Sequence, residues 1–323
     1  MTQTLVTGGS GFIGQHLVAA LLEQGRRVRI LDIRPPACAH AGVHFTQGSI
    51  LDPALVREAL DDVENVYHLA ALPGMWMPNK QDFYDVNCRG TEVVIAAARE
   101  RGVSRFLHCS TESILFGASH TEPVVSEDIH TTPDEMPGPY THSKLLAEEA
   151  ALLAATSGFP VVVANPTMPI GRHEGNFTPP TMMVRYFLNR RIQIYFDFVL
   201  NLVDVRDVAA GLLLTMERGQ VGGRYILGGE DISLGKLLEI LGSISGRKPP
   251  RVQVPAWIAQ MAAATMELVA DNVTHCSPAA TVEGVLIASR SKPLSMEKSR
   301  RELGYAPRSI EQALRDAVAC ALA

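Results

Sequence analysis

The 323-residue chain is 46% apolar and 20% charged, enough for a full core and a hydrated surface arranged as one large or two modest domains. Its 26 glycines and 20 prolines make up about one residue in seven, far below the range of collagen-like or low-complexity chains. Lys and Arg number 29 against 34 Asp and Glu, and the net charge of −5 argues against a nucleic-acid partner, because neutralising phosphates takes a clustered basic excess.

Short apolar runs alternate with helical patterns along the first two-thirds of the chain, which reads as repeated βα units and a parallel sheet. In chain order the pattern predicts a strand over Gln3–Thr7, a helix over Phe12–Gln24, and strands over Arg27–Asp32 and Val43–Phe45. A helix over Pro53–Leu60, a strand over Asn65–His68, a helix over Phe83–Glu100 and a strand over Arg105–Cys109 follow. The series closes with a helix over Tyr140–Ala155 and a strand over Pro160–Ala164. Several of these strands are nearly continuous apolar runs, as expected where helices cover both faces of a sheet. Beyond residue 165, Pro166, Pro169, Gly171, Gly175, Pro179 and Pro180 mark an excursion away from the sheet. Arg224–Leu227 is a later strand able to rejoin it, and from Leu234 the chain reads as helices interrupted at Pro249, Pro250 and Pro255.

The fold class is therefore α/β: a Rossmann doubly wound parallel sheet with a smaller, interrupted C-terminal substrate lobe. Residues 1–165 form the dinucleotide-binding core, with 201–228 returning to it. Residues 166–200 and 229–323 form the lobe. A ligand is expected in the crevice at the carboxyl ends of the strands.

The five cysteines (Cys38, Cys88, Cys109, Cys276 and Cys320) are odd in number and scattered, which disfavours a disulfide scaffold or a zinc site and fits a reducing cytosol. No secretory leader is expected, since Thr2–Val6 runs straight into a glycine turn. The most apolar stretch, Pro255–Ala270, is interrupted by Gln260 and Glu267 and falls short of the ~20 apolar residues of a membrane span. Within it, Trp257–Val269 reads first as a core helix of the lobe and second as a helix touching a membrane surface. The expectation is a soluble, cytoplasmic protein with no metal.

Thr7-Gly8-Gly9-Ser10-Gly11-Phe12-Ile13-Gly14 joins the first strand to the first helix. Gly9, Gly11 and Gly14 fit the dinucleotide fingerprint, and Gly8, Gly11 and Gly14 fit its wider-spaced variant. Such glycines serve a tight turn, close backbone approach to a pyrophosphate, and close packing of helix on strand, while the helix N-terminus offers free N–H groups to the phosphates. Asp32 ends the second strand, where a carboxylate accepts from the adenosine ribose hydroxyls and repels a 2′-phosphate. NAD is thus favoured over NADP, although Arg34 nearby is a candidate phosphate partner.

Tyr140 and Lys144 stand at i and i+4, on one face of a helix. A free phenol titrates near pH ~10, so a tyrosine acting as general base needs a neighbouring cation to bring it toward neutrality. The third member of such a set is a hydroxyl at the end of the preceding strand. Thr111 is the choice and Ser110 the alternative, and one of the two also suits a turn that caps the next segment.

Together with His68-Leu69-Ala70-Ala71, Asn87, Gly90-Thr91, Leu202–Ala209 and Arg301–Tyr305, these motifs resemble the extended short-chain dehydrogenase/reductases over almost the whole chain. Asn165–Gly171 and Arg224–Glu230 bring the dihydroflavonol-reductase-like and hopanoid-associated epimerase-like members closest. The resemblance implies cofactor contacts at Gly8, Gly11, Phe12, Ile13, Gly14, Asp32, Ser49, Ile50, Leu69, Ala70, Ala71, Tyr140, Lys144 and Pro166. It also implies Thr111, Tyr140 and Lys144 as the catalytic set. The chain departs from the family in carrying Ser49 where an aspartate is usual. Counting back from Gly117 would select Glu112 in place of Thr111, but the strand fixes Thr111. A homodimer through the helices at Asn87–Glu100 and Tyr140–Ala155 is implied, with Ala96, Ala97, Ala98, Ala147, Ala150 and Ala151 either in that interface or packed on the sheet.

Two substrate classes are compatible with this set. Nucleotide-sugar members place an arginine just ahead of Asn201–Asp207, where this chain has Tyr195–Leu200 with one carboxylate, and a diphosphate needs charge-assisted donors. Arg172, Arg185, Arg190, Arg191 and Arg290 are the remaining candidates. Met75 and Trp76 after the fourth strand, with Asn165 and Met168 opposite, suit a bulky apolar small molecule (sterol-, flavanol- or terpenoid-like), unless the Met75–Trp76 loop simply packs on the lobe. The first expectation is NAD-dependent hydride transfer at a secondary alcohol or ketone of such a substrate; the second is nucleotide-sugar epimerisation or dehydration.

Overall fold

Seven strands, each parallel to its neighbours, form the centre of the computed structural model, which describes residues 3–37, 42–172 and 178–322. The chain begins with β1 (Gln3–Thr7), α1 (Phe12–Glu23), β2 (Arg27–Asp32), β3 (Val43–Gln47), α2 (Pro53–Ala59) and β4 (Val63–His68). A short helix α3 (Gln81–Phe83) passes through a π-helical turn at Tyr84–Arg89 into α4 (Gly90–Glu100). Next come β5 (Arg105–Cys109), α5 (Pro139–Thr156) and β6 (Val161–Pro166). The remainder runs β7 (Met168–Ile170), α6 (Pro179–Leu188), β8 (Ile194–Tyr195), β9 (Val199–Asp204), α7 (Val205–Arg218), β10 (Arg224–Leu227) and β11 (Glu230–Ser233). It ends with α8 (Leu234–Ser245), β12 (Val252–Gln253), α9 (Ala256–Val269), α10 (Val282–Arg290) and α11 (Ile310–Leu322).

The strand order β10-β6-β5-β4-β1-β2-β3 reverses between β1 and β4, the doubly wound arrangement expected from the sequence. The period of two along each strand explains both faces. Leu5, Leu31, Val66, Phe106, Val161 and Val163 join one core with residues of α2, α4 and α5. Their neighbours Val6, Ile30, Tyr67, Leu107, Val162 and Ala164 join another with residues of α1 and α7. Ala97, Ala98 and Ala151 are buried in the first of these cores and Ala147 is likewise inaccessible, so of the six alanines considered for an interface only Ala96 is exposed and Ala150 half-buried.

Outside the sheet the outcome differs from expectation. Residues 166–200 and 229–323 contain strands as well as helices: β9 lies between β7 and β11 in a three-stranded sheet, and β8 pairs with β12. These strands are two to six residues long, too short for periodicity to reveal. The 201–228 segment is divided. Its first residues finish β9 in the lobe's sheet, Asp204 caps α7, and only α7 and β10 return to the large sheet. The third core joins α6, α8 and α11 to β7 and β9.

The reading of Trp257–Val269 as a core helix is overturned. In α9 only Ala263 is buried, whereas Trp257, Met261 and Leu268 are 60%, 64% and 65% exposed. Among the described residues no helix is long and apolar enough to cross a membrane. Cys88, Cys109, Cys276 and Cys320 are free thiols; Cys38 and Gly175 lie outside the described residues.

Candidate active site

The glycine turn takes its shape from contacts that no side chain would permit. Gly8 has φ +72°, and a Cβ there would stand 2.6 Å from the Ala70 nitrogen, so β1 can approach the start of the β4 loop only through glycine. A Cβ on Gly14 would overlap the Gly8 carbonyl, which seats α1 on the turn. Gly11 is the N-cap of α1, with no side chain of its own to cap the helix and no acidic residue in the first turn, so the positive end of the helix faces the glycine turn. Phe12 is buried and Ile13 half-buried at that end.

Asp32 faces this turn. Its Oδ2 accepts from the Ser10 N–H at 3.0 Å and its Oδ1 from the Arg34 N–H at 3.1 Å. A carboxylate has about four acceptor positions, so two remain for ribose hydroxyls. Leu69, Ala70 and Ala71, half-buried, follow the carboxyl end of β4 beside the turn. The Thr7 hydroxyl fixes their height by accepting from Ala70 N–H at 3.3 Å and bonding His68 Nδ1 at 2.7 Å. His68 Nε2 meets the Thr91 hydroxyl at 2.9 Å; burial and then the Lys144 charge bring its pKa down to about 3, so it is neutral and structural. Ser49 is engaged locally, its Oγ accepting from Leu51 N–H at 3.1 Å. Ile50 is buried beside Gly90, where a Cβ would stand 2.5 Å from Ile50 Cδ1. Pro166 is buried at the end of β6. The glycine N-cap of α1, the glycine cradle and the two remaining acceptor positions on Asp32 fit a dinucleotide.

Tyr140 and Lys144 lie one turn apart on α5, 8% and 4% exposed. Lys144 Nζ donates to the Cys109 carbonyl at 2.9 Å, which pins it to the carboxyl end of β5. Thr111, two residues beyond β5, has its hydroxyl near enough to the Tyr140 phenol to favour the ionised form. It also caps the 3₁₀ turn Glu112–Leu115, its Oγ1 lying 3.3 Å from Ser113 N and 2.7 Å from Ser113 Oγ, whereas Ser110 Oγ is buried without a partner. The capping role considered for one of the two hydroxyls thus falls on Thr111, the same residue that meets the phenol.

Among the chain's own groups, burial pushes the Tyr140 pKa up from its usual 10, the Thr111 hydroxyl acts against that, and Glu112 and Glu283 raise it further. The Lys144 amine is itself lowered by burial, and its proton is directed at a carbonyl. On the chain's own groups, then, Tyr140 holds its proton firmly. Glu112 is pushed up to about 7 by burial, with its own backbone and the Thr111 hydroxyl pulling the other way.

Two acidic residues missed in the sequence organise this site. Glu283 of α10 accepts from Tyr140 N–H at 3.2 Å, and from Thr141 N–H and Oγ1 at 2.7 Å each, so a lobe carboxylate caps the helix that carries the phenol. Gly138 makes room for it: a Cβ there would stand 2.5 Å from the carboxylate. Glu148 pairs with Arg224 at 2.7 Å and accepts from Asn165 Nδ2 at 2.7 Å. That amide also donates to the Thr111 carbonyl at 3.2 Å, so Asn165, fully buried, holds the Thr111 backbone. Glu283 lies some 140 residues from its helix, and no local pattern could have signalled it.

Of the expected substrate residues, Trp76 is buried, with its indole N–H on Asp271 at 2.8 Å and the Lys80 ammonium 4.7 Å from the ring centre. It therefore ties the loop after β4 to the end of α9, in keeping with the loop-packing alternative. Met75 is half-buried against the core, and Met168 packs on the lobe's core. The Tyr195–Leu200 stretch offers an incoming anion no cation, and its carboxylate, Asp197, accepts from Gly235 N–H at 2.9 Å.

Known proteins resemble the chain along nearly its whole length. A Synechocystis protein named for dihydroflavonol 4-reductase is 35% identical over 320 residues, covering 97% of this chain and 92% of that one. Sterol demethylase protein B of Methylococcus capsulatus is 31% identical over 322 residues, with 98% and 97% covered. The crystal structure of gox2253 superposes with a TM-score of 0.85 at 33% identity, covering 99% and 98% of the two chains. Residues 4–228 match the family described as NAD dependent epimerase/dehydratase. The chain belongs to that family, whose members are the extended short-chain dehydrogenase/reductases.

Proposed function

We propose that the protein is an NAD-dependent oxidoreductase acting on a secondary alcohol or ketone of a bulky, largely apolar substrate, with Tyr140 as general acid/base. The observation that carries this reading is the buried Tyr140 phenol on α5, beside the Thr111 hydroxyl just past β5 and one helical turn from Lys144, which is pinned to the Cys109 carbonyl. The glycine turn of Gly8, Gly11 and Gly14 would hold the pyrophosphate of NAD and Asp32 its adenosine ribose, and the nicotinamide would supply or accept the hydride when bound. The chain's part is the proton. Thr111 orients the substrate oxygen toward the phenol, and Tyr140 gives that oxygen its proton as a phenol during reduction or takes it up as a phenolate during oxidation. Lys144 keeps an ammonium beside the exchange, which eases the moment when the phenol is ionised.

The apolar substrate class rests on the absence of a cation in Tyr195–Leu200 and on relatives named for a sterol and a flavonol reaction. The alternative, a nucleotide-sugar epimerase or dehydratase, would use the same Thr111, Tyr140 and Lys144 and return its hydride. Assembly as a homodimer across α4 and α5 belongs to the same reading.

Net NADH formation with sterol and flavanol alcohols, measured for wild type and Tyr140→Phe, tests the proposal. Loss of the phenolic proton donor is expected to lower kcat by about 10²–10⁴-fold with little change in NAD affinity. Turnover that survives the substitution overturns the role of Tyr140. Thermal protection by a UDP- or dTDP-sugar, without net NADH, moves the assignment to the alternative.

A further inference from the structure

We infer that α9 and the ribbon beside it form a docking surface for an anionic lipid bilayer. Trp257, Met261 and Leu268 stand at i, i+4 and i+11 on α9, all more than half exposed, and no described element covers that side. Large apolar side chains scattered singly over a surface are ordinary, but three aligned on one helix face are not. The apolar surface continues onto the paired strands β8 and β12, where Ile194 and Val252 lie opposite one another at 51% and 55% exposure.

Charge says what covers it. The net charge of the chain is −5, yet residues 178–196 and 247–266, which carry β8, β12 and most of α9, contain no acidic residue. Arg190 and Arg191 lead into β8, Lys248 and Arg251 lead into β12, and all four are exposed. A local basic excess around an apolar helix in a chain of acidic balance suits an anionic headgroup layer, with the helix lying in the plane of the interface and its apolar face in the acyl boundary. It does not suit a second copy, which would bring the same positive charges face to face.

The surface is joined to the catalytic machinery. Asp271, just past α9, holds Trp76 and Lys80 of the loop after β4, and α10, which packs on α9, supplies Glu283 to the N-terminus of α5. A bilayer bound at α9 would thus lie against the elements that border the cleft. The inference stands apart from the proposed reaction, because binding is read without substrate or cofactor.

The experiment is co-sedimentation of the full chain with phosphatidylcholine vesicles and with vesicles that are about one-third phosphatidylglycerol, together with tryptophan fluorescence. The chain has two tryptophans; Trp76 is buried, so a blue shift reports Trp257 entering the interface. Binding to the anionic vesicles is expected at least ~10-fold above neutral ones and to weaken with salt, each basic residue near such a surface being worth roughly five-fold. Trp257→Asp with Met261→Asp and Leu268→Asp should abolish binding, while Lys248→Glu with Arg251→Glu should reduce it at low salt. Both variants alter exposed residues and should keep the wild-type melting temperature. No binding by wild type, or binding untouched by the triple variant, overturns the inference. A dimer by light scattering that the triple variant splits also overturns it and assigns the face to a second copy.

Discussion

Helices α1 and α5 begin alike. Each has a glycine as N-cap, so neither is capped by its own N-cap residue, and neither carries an acid in its first turn. What meets the two positive ends differs. At α1 the end opens on the glycine turn, with the Asp32 carboxylate held to the side by Ser10 N–H. At α5 it is filled by Glu283 from the lobe. One local solution thus serves two ends: left open, it is a seat for a ligand's phosphate; closed by a carboxylate from a distant element, it fixes the phenol and couples the catalytic helix to the lobe.

The strongest way to break this comparison is at the open end. Gly8→Val would force a branched side chain into φ +72° and into the Ala70 backbone, at a cost of about 3 kcal/mol or more, and is expected to weaken NAD binding by ~100-fold or more in titration calorimetry. Retention of affinity would mean that the phosphate seat lies elsewhere. At the closed end, Glu283→Ala removes three accepted hydrogen bonds, and a loss of about 2 kcal/mol in urea unfolding is expected with roughly ten-fold lower kcat and unchanged NAD affinity. Glu283→Gln, which keeps an acceptor oxygen, should recover part of both. Equal loss of NAD affinity would show that the two ends are not separate devices.

Asp32→Ala sharpens the open end further. Removing the carboxylate should lower NAD affinity and raise the NADP-to-NAD preference by about ten-fold, read from kcat/KM with each cofactor. An unchanged ratio would confine Asp32 to holding the Ser10 turn. The smallest effect concerns Glu112, raised from the usual 4.5 to about 7. A carboxyl group with its folded pKa above the unfolded one favours folding below pH 4.5, and that contribution is lost as pH rises through about 7. Glu112→Gln should flatten this slope and make the variant about 1 kcal/mol more stable than wild type at pH 8, the full shift being discounted for partial exposure. Denaturant melts at pH 5 and pH 8 read it directly.

Much of the core was legible in advance because its determinants are local. Gln3–Thr7, Arg27–Asp32, Arg105–Cys109 and Arg224–Leu227 form strands with the bounds the apolar runs predict, and Phe12–Gln24 misses the end of its helix by one residue. The predicted helix over Phe83–Glu100 fared less well: the backbone reaches Gly90 through a π-helical turn, where Asn87 reaches back to accept from Leu72 N–H at 2.7 Å. The lobe was read worst. Its strands are short, and α9, which apolarity alone made a core helix, is exposed.

By itself the sequence determined the βα alternation, the glycine turn ahead of α1, and the placing of Tyr140 and Lys144 on one helix face. Hydrophobic period, backbone permissiveness and i,i+4 spacing are all written within a few residues. Tertiary structure alone decided that Glu283 closes α5, that Asn165 holds Thr111, that Trp76 faces Asp271, and that burial pushes the phenol's pKa up. Those outcomes depend on desolvation and on partners dozens to hundreds of residues apart, and neither quantity exists until the chain has folded.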